Sequence, residues 1–369
     1  MKHKLSQDKQ EKKMENKNVP GFNIWNDKIK NDFSSNYMVA RVAAVNKTNF
    51  NLIYEKGTIT GELSGRLMYS AEDETELPAT GDFVLIENFD DLAIIHEVLP
   101  RTSLLKRKSA GKKVDFQAIA SNINYALIVQ AIDSDFNLRR LERYLAMVFE
   151  SGIIPIVVLT KTDLISDEEK KEKIVLIQNN YPDIKIFSLS NIDKSGIEEF
   201  YEFLKPGITF CLIGSSGVGK SSLINNLTES ENLSTNEVRN SDKKGKHTTT
   251  RRELIVLDND SVLIDTPGMR ELANFNIDSG ISETFEEIFE LTSECKFSDC
   301  NHISDSGCAV IKAVEDGVIS NDRYKNFIKI KKENEYYESS YLEKKRKDKE
   351  FGKMVKTVMK TKKVLKNRE

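Results

Sequence analysis

Between Tyr37 and Val98 apolar and polar positions alternate in short runs, MVARVAAV, FNLIYE, TITGELSGRLM, DFVLIE and LAIIHEV, separated by Gly, Asn, Asp and Pro. A two-residue period turns one face inward, so this stretch predicts five short strands and a small barrel. Further on the period changes. YALIVQAI is a continuous apolar strand, and LRRLERYLAMVFE puts Leu138, Leu141, Leu145 and Val148 on one helical face, with Gly152 placed to cap it. IIPIVVLT, the helical EEKKEKIVLIQNN, IKIFSLS, a short helix from Gly196 and ITFCLIG continue the rhythm. Strands alternating with helices predict a parallel sheet covered on both faces. ELIVLDNDSVLIDT reads as a hairpin turning at Asp258 to Asp260, and beyond residue 281 helical spacing takes over, as in Ile281, Phe285, Ile288 and Phe289.

At 369 residues the chain exceeds what one core usually serves, so at least two folding units are expected. Apolar content of 39% with 31% charge, and no run approaching the ~20 apolar residues of a membrane helix, predict a soluble cytoplasmic protein without a membrane partner. The first 18 residues are polar and read as a solvated tail. Net charge is only -3, but it is uneven. Arg101, Lys106, Arg107, Lys108, Lys112 and Lys113 form a basic connector between the barrel and the sheet, and residues 341–369 hold twelve Lys or Arg against four Asp or Glu. Four cysteines are too few for a disulfide framework, yet Cys295, Cys300 and Cys308 fall close together, which suggests a metal site. Cys211, in the strand ITFCLIG, reads as core.

Gly214-Ser215-Ser216-Gly217-Val218-Gly219-Lys220-Ser221, followed by Ser222, fits GxxxxGK[ST] between an apolar strand and a helix. Glycines there let backbone N–H groups converge on phosphate oxygens, Lys220 neutralises the β and γ charge, and the Ser221 hydroxyl ligates Mg²⁺. Downstream, Asp265-Thr-Pro-Gly268 ends a strand, where Asp265 can hold Mg²⁺ through water and the Gly268 N–H can sense the γ-phosphate. Between them lies KKGKHTTTRRE, whose threonines 248 to 250, Thr249 and Thr250 among them, offer a hydroxyl to close over Mg²⁺. Met269 stands where Ras-like enzymes place a water-orienting glutamine, so intrinsic turnover should be slow. His247 is the candidate substitute; the alternative is an exposed loop histidine.

Thr160-Lys161-Thr162-Asp163, at the end of IIPIVVLT, resembles the guanine-reading [NT]KxD motif, with Asp163 accepting from guanine N1–H and N2–H. Thr160 takes the place of the commoner Asn and forgoes an amide that braces the phosphate-loop side. Ser188, Leu189 and Ser190 fit the segment that supports the base from below. The base-reading motif precedes the phosphate loop, the reverse of the ordinary GTPase order, so the domain reads as circularly permuted.

This order, with FQAIASNINYALIV, GSSGVGKSSLIN, GKHTTTRRE and DTPGMREL, resembles the ribosome small subunit-dependent GTPase A family (RsgA) over roughly residues 36–335. The resemblance implies a multidomain α/β fold: an OB-fold barrel, a circularly permuted P-loop GTPase domain and a C-terminal helical zinc domain. It also implies GTP and GDP as ligands, with the 30S subunit and its rRNA as partner, hydrolysis stimulated by that subunit, and late 30S maturation as the role. The zinc domain has its counterpart in Cys295, Cys300, His302 and Cys308, a set that can wrap one tetrahedral Zn²⁺ and leaves no open position. The expected division is a polar tail (1–35), OB-fold (36–100), basic linker (101–113), GTPase domain (114–275), zinc-binding helices (276–340) and basic extension (341–369), acting as a monomer. For the extension, contact with a phosphate backbone and a merely solvated helix both stand. The alternative to a working enzyme is an RNA- or ribosome-binding protein that senses GTP with little hydrolysis.

Overall fold

The computed structural model describes residues 19–29, 37–71, 73–108, 116–229, 252–266 and 278–338. Strands β1 (Met38–Val45), β2 (Phe50–Tyr54), β3 (Gly57–Leu63), β4 (Phe83–Phe89) and β5 (Leu92–Val98) form the barrel. Its strand order β1-β2-β3-β5-β4 closes through a β1–β4 pairing, with only β3 and β5 parallel. Ala40, Val42, Leu52, Val84, Ile86 and Ile95 are buried in the barrel interior as the two-residue period predicts, but on β1 and β4 the intervening Val39, Phe83 and Leu85 are buried as well. The run TITGELSGRLM is shorter as a strand than expected. It stops at Leu63 because the Ser64 hydroxyl accepts from the Leu67 N–H at 3.2 Å and starts helix α2 (Gly65–Ser70).

The expectation of a polar tail to residue 35 is corrected by helix α1 (Phe22–Ile29). Val19, Phe22 and Trp25 pack on Val39, Phe83, Leu85 and Leu99 of the barrel, and the Trp25 indole donates to the Pro100 carbonyl at 3.0 Å. Three apolar side chains spaced three residues apart are enough to dock a segment whose surroundings are polar. The first 18 residues lie outside the described set, as does the basic segment 341–369. The connector after the barrel is also not simply a linker. Strand β6 (Leu104–Lys108) pairs with β7 (Phe116–Ser121) in a two-stranded ribbon, with Leu105 fully buried.

Arg41, on β1, is completely buried and ties three parts of the chain together. Its guanidinium donates to the carbonyls of Gly81 (3.2 Å) and Pro20 (2.8 Å) and to Thr209 Oγ1 (2.9 Å). Burial pulls its pKa down to about 9, against the opposing pull of Asp82.

The second sheet carries β8 (Tyr125–Ala131), β9 (Ile154–Thr160), β10 (Lys185–Ser188), β11 (Thr209–Ile213), β12 (Glu253–Val256) and β13 (Val262–Asp265) in the order β10-β9-β8-β11-β13-β12. All neighbours are parallel except β12 and β13, the predicted hairpin. The sheet continues into the barrel through Ala44 and Glu253. One face is covered by helix α3 (Leu138–Glu150), whose Leu141, Leu145 and Val148 are fully buried, together with the C-terminal helices. The other face is covered by α5 (Ile197–Phe203) and α6 (Lys220–Glu229), through Phe200, Leu223 and Leu227. Helix α4 (Asp167–Asn180) begins with a capping box of Ser166 and Glu169 and buries Ile177.

Helices α7 (Asp278–Thr284), α8 (Glu286–Thr292), α9 (Ala309–Glu315) and α10 (Asn321–Glu338) follow. Ile281, Phe285 and Ile288 join the core as their spacing predicts, while Phe289 stays 42% exposed. At Gly280 a Cβ would fall 1.8 Å from the Ala146 carbonyl oxygen, so only glycine lets α7 press this closely on α3.

Candidate functional site

The phosphate-loop residues turn between β11 and α6, at the C-terminal edge of the parallel strands where open α/β sheets bind ligands. Gly214, Gly217 and Gly219 have φ of +153°, +81° and +96°. A Cβ on Gly214 would lie 2.3 Å from the Val129 carbonyl oxygen, whereas at Gly217 nothing lies within 4 Å, so that side of the loop is open to a ligand. Val218 is buried and anchors the loop; Ser216, Ser221 and Ser222 are exposed around it. Lys220 Nζ donates to the Gly214 and Ser215 carbonyls, each at 2.6 Å, and the Ser215 hydroxyl meets Tyr144 of α3 at 3.4 Å. Backbone amides at the start of α6, the helix dipole and one ammonium make this loop an anion site.

Asp265 is the last residue of β13, in register with Leu212 of β11. Burial raises its carboxyl above the ordinary range, and the charge of Lys220 partly opposes that rise. Its carboxylate and the Ser221 hydroxyl are hard oxygen donors of the kind Mg²⁺ takes beside phosphate. Thr266 Oγ1 donates to the Leu212 carbonyl at 2.5 Å and fixes the chain as it leaves the sheet.

The second loop pair comes from β9 and β10. Lys161 adopts a left-handed backbone (φ 60°, ψ 36°), and a single 3-10 turn, Thr162–Leu164, lifts Asp163 into solvent. Ser190 donates to the Asp163 carboxylate at 2.6 Å and accepts the N–H groups of Ile192 (3.1 Å) and Asp193 (3.3 Å). Ser188 ends β10, Leu189 is buried, and the Thr162 N–H reaches the Leu189 carbonyl at 3.4 Å. Lys161 pairs with Asp133 at 3.0 Å. The carboxylate that would read a base is thus oriented from behind by a hydroxyl.

Thr160 corrects one expectation. Its hydroxyl donates to the Val218 carbonyl at 2.6 Å, so the brace to the phosphate loop is present without an amide at that position. An amide is supplied from elsewhere: Asn191 Nδ2 donates to the Gly219 carbonyl at 3.1 Å. Asn226 of α6 in turn donates to the Asn191 main-chain oxygen (3.0 Å) and to its Oδ1 (3.3 Å). Both asparagines escaped the sequence reading; the only hint was the position of Asn191 directly after Ser188-Leu189-Ser190. His247, Thr248, Thr249, Thr250 and Gly268 lie outside the described residues.

Between α8 and α9, Cys295, Cys300, His302 and Cys308 bring one ligand atom each to within 4.8 Å of one another. His302 Nδ1 is 3.7 Å from Cys295 Sγ and 3.6 Å from Cys308 Sγ, and these two sulfurs are 3.9 Å apart. A tetrahedron with Zn–S of ~2.3 Å and Zn–N of ~2.0 Å has S–S and S–N edges of about 3.8 and 3.5 Å, so the donor set fits zinc. The site is built locally. Cys308 caps α9 by accepting the Ile311 N–H at 3.4 Å, and His302 takes a positive φ of 61° with its carbonyl bonded to the Tyr324 hydroxyl at 2.6 Å.

Comparison with known proteins agrees with this geometry. The RsgA GTPase family model matches residues 98–275. The small ribosomal subunit biogenesis GTPase RsgA 1 of Bacteroides thetaiotaomicron is 41% identical over 326 residues, covering 87% of this chain and 90% of that protein. RsgA of Leptospira interrogans is 40% identical over 332 residues, with the same two shares of 87% and 90%. Among solved structures, YjeQ from Thermotoga maritima matches with a TM-score of 0.60 at 25% identity, over 80% of this chain and 98% of its own. YloQ, described as a circularly permuted GTPase, shares the fold with a TM-score of 0.56 at 23% identity, over 83% of this chain and 98% of its own. With the barrel, the permuted nucleotide site and the Cys3His cluster all in place, the chain belongs to the RsgA GTPase family.

Proposed function

We propose that this chain is a Mg²⁺-dependent GTP hydrolase that binds the small ribosomal subunit, assists its late maturation and leaves it when GTP is cleaved. The observation that carries the nucleotide half is the connection of the two loop systems. Asp163, oriented by Ser190, reads guanine, and Thr160 ties the base loop to the phosphate loop through Val218. Adenine lacks the donor pair that Asp163 accepts, so the site rejects it. The ribosomal half rests on the names of the relatives, each a small ribosomal subunit biogenesis GTPase.

In this reading the loop from Gly214 to Ser222 and Lys220 hold the phosphates, and Ser221 and Asp265 hold Mg²⁺. When bound there, the ion would neutralise phosphate charge. Thr249 or Thr250 and Gly268 contact the γ-phosphate, and His247 orients the attacking water once the subunit presses its loop into place. Zinc on Cys295, Cys300, His302 and Cys308 is structural, since four protein ligands leave no position for water. The protein works as a cytoplasmic monomer; among the described residues no helix is long and apolar enough to cross a membrane.

The decisive assay is GTP turnover with and without purified 30S subunits. Strong acceleration is expected, and its absence would leave the reading of a GTP-sensing RNA-binding protein, which Met269 in the glutamine position favours. Equal binding of ATP and GTP, or an Asp163→Asn variant that gains no xanthine nucleotide preference, would sink the guanine assignment.

A further inference from the structure

We infer that Asn191 is a positioning residue for the phosphate loop, setting the Gly219–Lys220 peptide so that its N–H faces the nucleotide. The inference rests on the nucleotide-site reading above.

A trans peptide points its C=O and the following N–H in opposite directions. The Val218 carbonyl is taken by Thr160 Oγ1 at 2.6 Å. The next carbonyl, Gly219, accepts from Asn191 Nδ2 at 3.1 Å and from the Leu223 N–H of α6 at 2.8 Å. Two consecutive peptide planes are therefore anchored by their oxygens, which turns the N–H groups of Gly219 and Lys220 away from those anchors, toward the open side of the loop. A carbonyl has two lone pairs, and here both are used.

The Asn191 amide is itself oriented. Asn226 donates to its Oδ1, which leaves Nδ2 to face Gly219. The fit is close: a Cβ on Gly219 would lie 2.7 Å from Asn191 Nδ2, so glycine at that position serves the brace as well as the loop conformation. Ser190, the residue before, holds the Asp163 carboxylate. Two adjacent residues thus connect the base-reading carboxylate to the end of the phosphate loop, and Asn226 ties Asn191 to α6.

Since the Leu223 N–H stays on Gly219, loss of Asn191 does not leave that carbonyl bare. The expected effect is that of one net hydrogen bond, roughly fivefold in nucleotide binding. The test uses the full chain with Mg²⁺, measuring dissociation of a fluorescent GDP analogue and steady-state GTP hydrolysis. Asn191→Ala should release the analogue roughly fivefold faster and raise KM by a similar factor, with kcat changed less than about twofold. Asn226→Ala should give a smaller effect of the same kind, and the double variant should be no worse than Asn191→Ala alone. Unchanged dissociation in Asn191→Ala, a loss confined to kcat, or strictly additive effects of the two substitutions would overturn the proposal. If Asn191→Ala does not fold, a normal dissociation rate in Asn226→Ala does the same. Failure of the unaltered chain to bind the analogue would instead strike at the nucleotide-site reading itself.

Discussion

Glu142 of α3 and Arg323 of α10 form a buried ion pair at 3.0 Å, with side-chain exposures of 0% and 7%, where the C-terminal helices meet the parallel sheet. Around it Arg323 also donates to Tyr181 (2.9 Å), the Thr284 carbonyl (2.9 Å) and Glu287 (2.9 Å), and Asn326 donates to Glu142 at 2.5 Å. Every buried charge here has a partner, which is the condition for such a network to be tolerated. Removing one member leaves the others desolvated and unpaired. Glu142→Ala should therefore cost about 3 kcal/mol, at the lower end for a broken buried pair because Glu287 still serves Arg323. Denaturant unfolding followed by tryptophan and circular dichroism would measure it, and a loss below about 1 kcal/mol would show that the network does not hold the junction.

Thr160→Val keeps the shape of the side chain and deletes the donor to Val218. The Val218 carbonyl is buried in a loop where no other bond to it replaces Thr160 among those described, so its desolvation is no longer offset. GTP affinity should fall about tenfold, more than for Asn191→Ala, while Thr160→Ser stays near the original value. Equilibrium binding of a fluorescent nucleotide decides it; equal affinity in the valine variant would remove the hydroxyl from the brace.

Asp265 gives a pH prediction with a definite sign. Its carboxyl is raised by burial, so the folded chain holds that proton more tightly than the unfolded chain. Stability contributed at this position therefore falls as pH rises from the ordinary carboxylate pKa through the raised one. Asp265→Asn should raise the melting temperature of the nucleotide-free protein at neutral pH, yet weaken Mg²⁺-dependent GTP binding severely. Calorimetry from pH 4 to 8 with EDTA should show the difference closing toward low pH. A variant that is less stable at pH 7 would refute the strain assigned to the ionised carboxylate.

Cys300→Ser should lose one equivalent of zinc by elemental analysis and loosen residues 295–308 in hydrogen exchange, without abolishing nucleotide binding. Its sulfur lies within the 4.8 Å ligand cluster but outside the nucleotide loops. Full zinc content in this variant would refute the ligand set.

Much of this was legible because it is local. Alternation in FNLIY, the helical face of Leu141, Leu145 and Val148, the glycines at Gly214, Gly217 and Gly219 and the spacing from Cys295 to Cys308 each depend on neighbours along the chain. What escaped depends on partners far away in sequence. Asn191 acts on Gly219, Thr160 on Val218 and Arg41 on Thr209, and no periodicity signals such a bond. Helix α1 was hidden for a different reason: Val19, Phe22 and Trp25 stand isolated in a polar stretch, and their burial shows only once Phe83 and Leu99 are placed beside them.

The continuity of the sheet across Ala44 and Glu253 also bears on solubility. An open sheet edge offers unpaired N–H and C=O groups to any passing chain. The barrel closes on itself and has no such edge, and by meeting β12 it covers part of the one the nucleotide sheet would otherwise present there. At the far end β10 is only four residues long, and Lys185 spreads its ammonium over Phe187 and Phe203, at 4.8 and 4.5 Å from the ring centroids. A short strand guarded by a lysine is a poor template for a second molecule, so the fold discourages strand-to-strand aggregation at both ends.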